Sequence, residues 1–91
     1  MTNMSKAVLR LRADRVEWRL VEDEIVALTL EGDRYLGTNR TGALLWQALV
    51  DGSDVERLAR LLESEGAVLA EAQSDVIVFL DALRQHGLLA E

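Results

Sequence analysis

His86 is the single histidine in a chain of 91 residues that holds no cysteine. Thiol nucleophiles, thiolate metal sites and disulfides are therefore excluded, and an imidazole base has one position open to it. A serine–histidine–acid set would have to bring Ser5, Ser53, Ser64 or Ser74 to His86. Two of those serines stand where helix caps are expected. His86 falls in a last helical turn, where the helix dipole favours a cation, so an exposed cap histidine is the simpler reading. Glu22, Asp23 and Glu24 are consecutive carboxylates, but in a tight turn they splay outward instead of converging on a metal. Asp51-Gly52-Ser53-Asp54 lacks the oxygen-ligand spacing of a calcium loop, and Gly32, Gly37 and Gly42 form neither GxGxxG nor a P-loop. Trp18 and Trp46 fall at strand and helix periodicity and read as core. No catalytic set, metal site or cofactor site emerges, and an enzyme is not expected.

Charge narrows the partners. Residues 1–19 hold Lys6, Arg10, Arg12, Arg15 and Arg19 against Asp14 and Glu17, a net of +3, while residues 20–91 carry a net of −9. Nucleic-acid binding draws most of its affinity from phosphate neutralisation, which such a body opposes. No stretch approaches the roughly 20 apolar residues that span a bilayer. Arg10 and Arg12 break the one early apolar run, so no signal peptide is expected. The expected location is the cytoplasm, with no membrane partner. A chain this short forms one domain, placed at residues 16–90, with residues 1–15 as an N-terminal segment.

Two periodicities meet near residue 40. Val16, Trp18 and Leu20 alternate with Glu17 and Arg19, the signature of a half-buried strand. After Glu22-Asp23, the run from Ile25 to Leu30 is apolar at nearly every position, as in a central strand. Gly32-Asp33 suits a two-residue hairpin turn with glycine first, and Arg34 to Thr38 follow as a third strand. This predicts an antiparallel meander over residues 16–38 whose third strand is an edge. The alternation over residues 7–12 admits a further strand.

Helices follow. Thr41 to Val50 places Leu45, Trp46 and Leu49 on one face, and Gly52 stops it. Ser53-Asp54-Val55-Glu56 reads as a capping box, and Val55, Leu58, Ala59 and Leu62 mark a second helix ending at Gly66. The third begins near Glu71, or at Ser74 if that serine caps it, with Val76, Phe79, Leu80 and Leu83 in helical spacing. Gly87 fits a left-handed ending with Leu88 packing back on Leu83. A three-stranded antiparallel sheet followed by three helices is an α+β, winged-helix-like domain whose first two helices resemble a helix-turn-helix. Its second helix would be the DNA-reading one, yet Glu56, Glu63 and Glu65 outweigh Arg57 and Arg60.

Trp18-x-x-Val21-Glu22-Asp23, Ile25-Val26-Ala27-Leu28 and Tyr35-Leu36-x-x-Asn39-x-Thr41-Gly42-x-x-Leu45-Trp46 occur in that order. Asp51-Gly52, Val55-x-x-Leu58-Ala59, Asp75-Val76-x-x-Phe79-Leu80-x-x-Leu83 and Gly87-Leu88-Leu89 then follow. Together they resemble the PqqD family over about residues 16–90. The family is named for pyrroloquinoline quinone synthesis, and its fold recurs as the recognition element for precursors of ribosomally made, modified peptides. The stretch Tyr35 to Gly42 with Leu45-Trp46 looks most like the stand-alone leader-binding protein of lasso peptide biosynthesis. The quinone branch tends to carry alanine where Gly42 stands here.

The resemblance implies a non-catalytic adaptor that binds the leader segment of a precursor peptide. It also implies delivery of that peptide to a leader peptidase of cysteine protease type. The family's leader adds as a strand beside the third strand, in a groove walled by the third helix. On this chain that points to Arg34, Tyr35, Leu36, Gly37 and Thr38, with Val76, Phe79, Leu80 and Leu83 as groove residues. Periodic apolar positions on a helix are also what a core requires, so the helix residues carry two readings. The alternative function is a winged-helix DNA-binding regulator.

Overall fold

The computed structural model describes residues 8–31 and 34–91. The expected Gly32-Asp33 turn, and Ala7 at the start of the 7–12 run, lie outside the described residues. Strand β1 (Arg10–Leu11) leads through a 3-10 turn (Ala13–Arg15) into β2 (Val16–Val21), β3 (Glu24–Thr29) and β4 (Tyr35–Gly37). Helices α1 (Arg40–Asp51), α2 (Val55–Ser64) and α3 (Leu69–Gln85) follow, and β5 (Leu89–Ala90) ends the chain. The three-stranded sheet has the order β2-β3-β4, antiparallel throughout. The α+β, winged-helix-like architecture is present as the periodicities required.

Val21 pairs with Glu24, so the β2–β3 turn has two residues, and Glu22 and Asp23 take φ of 48° and 69°. Positive φ at both positions is the type I′ geometry that matches the twist of the strands, adopted here without the usual Asn-Gly. β3 is central, but it is buried on one face only. Ile25, Ala27 and Thr29 point into the core, while Val26 stays 46% exposed on the other face.

The further strand does exist, but it does not extend the meander. β1 pairs with β5, joining Arg10 to Ala90 and Leu11 to Leu89. Leu9 and Leu11 are buried in the same core as the rest, so packing does not divide the chain at residue 16. Leu9 and Ser53 exchange both main-chain hydrogen bonds, at 2.7 and 2.9 Å. That bridge displaces the expected capping box. Ser53 is held by Leu9, and Asp54 caps α2 instead, its Oδ1 accepting from the Arg57 amide at 2.8 Å.

α3 begins at Leu69, earlier than either expected start, with no side-chain cap at Val68. Ala72 is fully buried in that added turn, so tertiary packing and not a capping side chain sets the beginning. The end follows the expected motif. Gly87 has φ of 69°, the Leu88 amide donates to Leu83 O at 2.9 Å, and that of Gly87 to Arg84 O at 3.0 Å. Leu88 is thereby turned inward and buried.

Trp46, Leu45 and Leu49 of α1 meet Ile25 of the sheet, Leu58 of α2, and Val76 and Leu80 of α3 in one core. Trp18 stands edge-on to Trp46 with ring centroids 6.0 Å apart and planes at 68°. The core places β4 and α3 side by side with an open channel between them. Among the described residues, no helix is long and apolar enough to cross a membrane.

Candidate functional site

β4 pairs with β3 on one side, and no strand pairs with its other side among the described residues. The direction of its free groups follows from the ladder. The Thr38 amide donates to Ile25 O at 3.0 Å, and the Thr29 amide donates to Arg34 O at 2.8 Å. Main-chain groups of an antiparallel strand alternate sides with period two. Arg34, Leu36 and Thr38 therefore direct their amides and carbonyls toward β3, the Arg34 amide donating to Thr29 Oγ1 at 3.1 Å, while Tyr35 and Gly37 turn theirs to the open edge. Side chains alternate with the same period. Leu36 faces the core side and is half-buried, whereas Tyr35 stands 79% exposed on the opposite face of the sheet.

Two cavities lie along α3, one against this edge and the next against the start of α1. One, of about 320 Å³, is lined by Leu36, Gly37 and Thr38 of the edge, Trp46 below, and Phe79, Leu83 and His86 of α3. The other, of about 340 Å³, is lined by Asn39, Thr41 and Leu45 on one side and Asp75 and Val78 on the other. Asn39, Gly42, Phe79 and Ala82 border both, so the half-buried Phe79 ring stands between two apolar compartments. The N-terminus of α1 is fixed beside them by Asn39, whose Oδ1 accepts from the Gly42 amide at 2.8 Å. Thr38 anchors the same corner, its Oγ1 accepting from the Ile25 amide at 3.2 Å.

Several expected site residues come together here: Leu36, Gly37 and Thr38 with Phe79 and Leu83. Arg34 lines a neighbouring hollow with Arg15 and His86 at the end of the groove. Tyr35 contributes its main chain to the edge but its ring to the other face. Val76 and Leu80 have no exposed surface and belong to the core, not to the groove wall. Sequence reasoning missed Asn39, Gly42, Asp75, Val78, Ala82 and His86. Those on α3 form a stripe beside the buried one, visible in the spacing but not distinguished by composition.

Little in the groove is ionised. Asp75 marks one end and His86 the other, and His86 is half-buried as the C-cap residue of α3, not freely exposed. Behind it, Arg84 hydrogen-bonds Glu91 at 2.8 and 3.0 Å and Asp81 at 2.8 Å. The Glu91 carboxylate holds the Arg84 pKa above its ordinary value, and Arg84 holds that of Glu91 below it. The Trp46 Nε1–H is buried without an acceptor among the described residues. Among the described residues, no three His, Asp or Glu side chains gather where a metal could bind. The site is suited to holding an extended apolar segment by main-chain pairing and side-chain burial.

The family model for coenzyme PQQ synthesis protein D (PqqD) matches residues 24–89. The chain belongs to the PqqD family. Two solved structures share its architecture. One is described as TbiB1 in complex with the TbiA(β) leader peptide, at 27% identity and a TM-score of 0.79, covering 88% of this chain and 93% of that one. The other is a lasso peptide synthetase B1 complexed with the leader peptide, at 27% identity and a TM-score of 0.77, covering 91% and 98%. No curated protein sequence matches the chain. Within the PqqD family, then, its likeness extends to lasso peptide synthetase B1 proteins, as the stretch around Gly42 implied.

Proposed function

We propose that this PqqD-family chain is a non-catalytic adaptor that binds the leader segment of a lasso-type precursor peptide by strand addition to β4. The observation that carries the reading is the pair of outward main-chain groups at Tyr35 and Gly37 beside an apolar groove under α3. An extended peptide satisfies those groups at its backbone and buries alternate side chains around Phe79. Main-chain bonds supply affinity without selectivity, so the two compartments flanking Phe79 supply the discrimination. The likeness to two proteins described with leader peptides bound supports this reading.

Delivery is the second half of the proposal. The adaptor hands the bound precursor to a leader peptidase of cysteine protease type, in the cytoplasm. The test is calorimetric titration of the leader peptide encoded by a neighbouring precursor gene, at about 50 and 200 mM salt, alongside a DNA duplex. Strand addition should hold its affinity across that range, whereas phosphate-driven binding should fall by orders of magnitude. Duplex binding with that steep salt dependence, and no peptide binding, would replace this reading with the DNA-binding one.

A further inference from the structure

The face of the sheet turned away from the core carries exposed apolar residues beside the charged Glu17, Arg19 and Glu24. Val21, Val26 and Tyr35 are 43, 46 and 79% exposed there, with Leu28 half-buried among them. A sheet packed on one face normally carries polar residues on the other. Register sorts this face into rows, Glu17–Leu28–Tyr35 and Arg19–Val26–Gly37. The second row ends in a gap, because Gly37 has no side chain.

Nothing in the fold asks for that glycine. Gly37 is not among the residues with positive φ, and a Cβ built on it would meet one atom, Ile25 O, at 3.9 Å. Glycine inside a strand weakens it and often marks the close approach of another chain. Gly37 is also one of the two residues that turn their main chain to the open edge. The gap and the pairing edge coincide.

We infer that Gly37, Val26 and Tyr35 form a second side-chain subsite for the added peptide, on the face opposite the α3 groove. This rests on the strand-addition reading above. A peptide residue paired with Gly37 points its side chain to the same face as Val26. Strands lie ~4.8 Å apart, so Val26 is about two spacings from the peptide, across bare glycine backbone. An aromatic or long aliphatic side chain lying flat over Gly37 spans that distance, with Tyr35 as one wall. Covering an edge glycine with a cross-strand aromatic is an established way of stabilising a sheet. The peptide is then read on both faces, so consecutive positions are selected for apolar side chains.

A second copy of this chain fits the patch poorly. Three strands at ~4.8 Å spacing and about five residues long present on the order of 250 Å². A stable interface buries about 800 Å² per partner.

The test is selection of phage-displayed random twelve-residue peptides on the wild-type protein, on Val26→Lys and on Gly37→Val. Wild type should enrich a run with apolar residues at both the groove-facing and the outward positions. Val26→Lys should enrich aspartate or glutamate at the outward position and leave the groove-facing preference intact. Gly37→Val should melt no lower than wild type and bind a wild-type-selected peptide at least tenfold more weakly. An outward position that accepts any residue on wild type, or ignores Val26→Lys, overturns the subsite and leaves strand addition standing. Enrichment of no groove-facing pattern at all on wild type overturns both. A wild-type dimer that Val26→Lys dissociates assigns the face to a second copy and overturns the subsite.

Discussion

A methyl group placed on Gly42 would stand 3.3 Å from Cε1 of Phe79 and 2.9 Å from Cβ of Thr38. The first turn of α1 is thus pressed against both walls of the groove, and the absent side chain is what lets them meet. Glycine in a helix ordinarily costs about 1 kcal/mol against alanine, so this position forgoes stability for close approach. Gly42→Ala should not recover that energy. Overpacking costs about 1–3 kcal/mol, and the methyl must displace Thr38, which holds the Ile25 amide, or the ring that divides the two compartments. Thermal melting should show no gain, and calorimetry should show weaker peptide binding. A stabilised variant with unchanged binding would mean that Phe79 does not partition the groove.

Trp46 anchors α1 to the sheet and floors the compartment next to β4. Trp46→Ala should cost about 3–5 kcal/mol, a large share of what so small a domain possesses. Trp46→Phe should cost well under half of that. It keeps a ring against Trp18 and removes a buried indole N–H that has no acceptor among the described residues, a liability of about 1–3 kcal/mol. Denaturant unfolding of both variants measures the difference.

The cap of α2 separates two adjacent candidates. Asp54→Ala should lose about 1 kcal/mol, because its carboxylate holds the Arg57 amide. Ser53→Ala should change stability by less than about 0.5 kcal/mol, because Ser53 works through its backbone. The reverse order in urea midpoints would restore the capping box.

These cases show where the sequence is readable. Val16, Trp18 and Leu20 announce a strand, Val55, Leu58, Ala59 and Leu62 a helix, and Gly87-Leu88 a helix ending, because each pattern repeats a local geometry. β1 and β5 hold two residues each, too few for any period to show, and their pairing closes a loop of nearly the whole chain. Ser53 and Asp54 are equally good caps in isolation, and only the contact with Leu9 decides between them. On α3, spacing finds the buried stripe of Val76, Leu80 and Leu83. It does not find Ala82 and Val78, since what lies beside a core stripe depends on what the sheet leaves uncovered.

Edge parity gives a sharp mutational test. Leu36 turns its amide to β3, so Leu36→Pro breaks the sheet itself and should destabilise the fold. Tyr35→Pro and Gly37→Pro remove amides that face the open edge and leave the ladder whole. Both should remain folded by circular dichroism while peptide binding falls at least tenfold. Equal binding by a folded Tyr35→Pro or Gly37→Pro variant would place the peptide elsewhere.

Ala82 provides the cleanest probe of the helix wall. It is exposed, borders both compartments, and lies one residue from the buried Leu83. Glutamate is a good helix former, so Ala82→Glu should leave the melting temperature within a few degrees of the parent. In the groove, however, it sets a carboxylate where the peptide must bury apolar side chains, and an unpaired charge resists burial strongly. Peptide affinity should drop by at least a factor of ten. Ala82→Leu offers the opposite perturbation, adding apolar surface to the same wall, and should shift the preferred side chain at one compartment toward smaller residues. Val76→Ala is the control for a purely structural role. It should lower stability by about 1–3 kcal/mol while the protein that remains folded binds peptide with unchanged affinity, because Val76 has no exposed surface. If Ala82→Glu binds as tightly as the parent, the α3 face of the groove is not where the peptide lies.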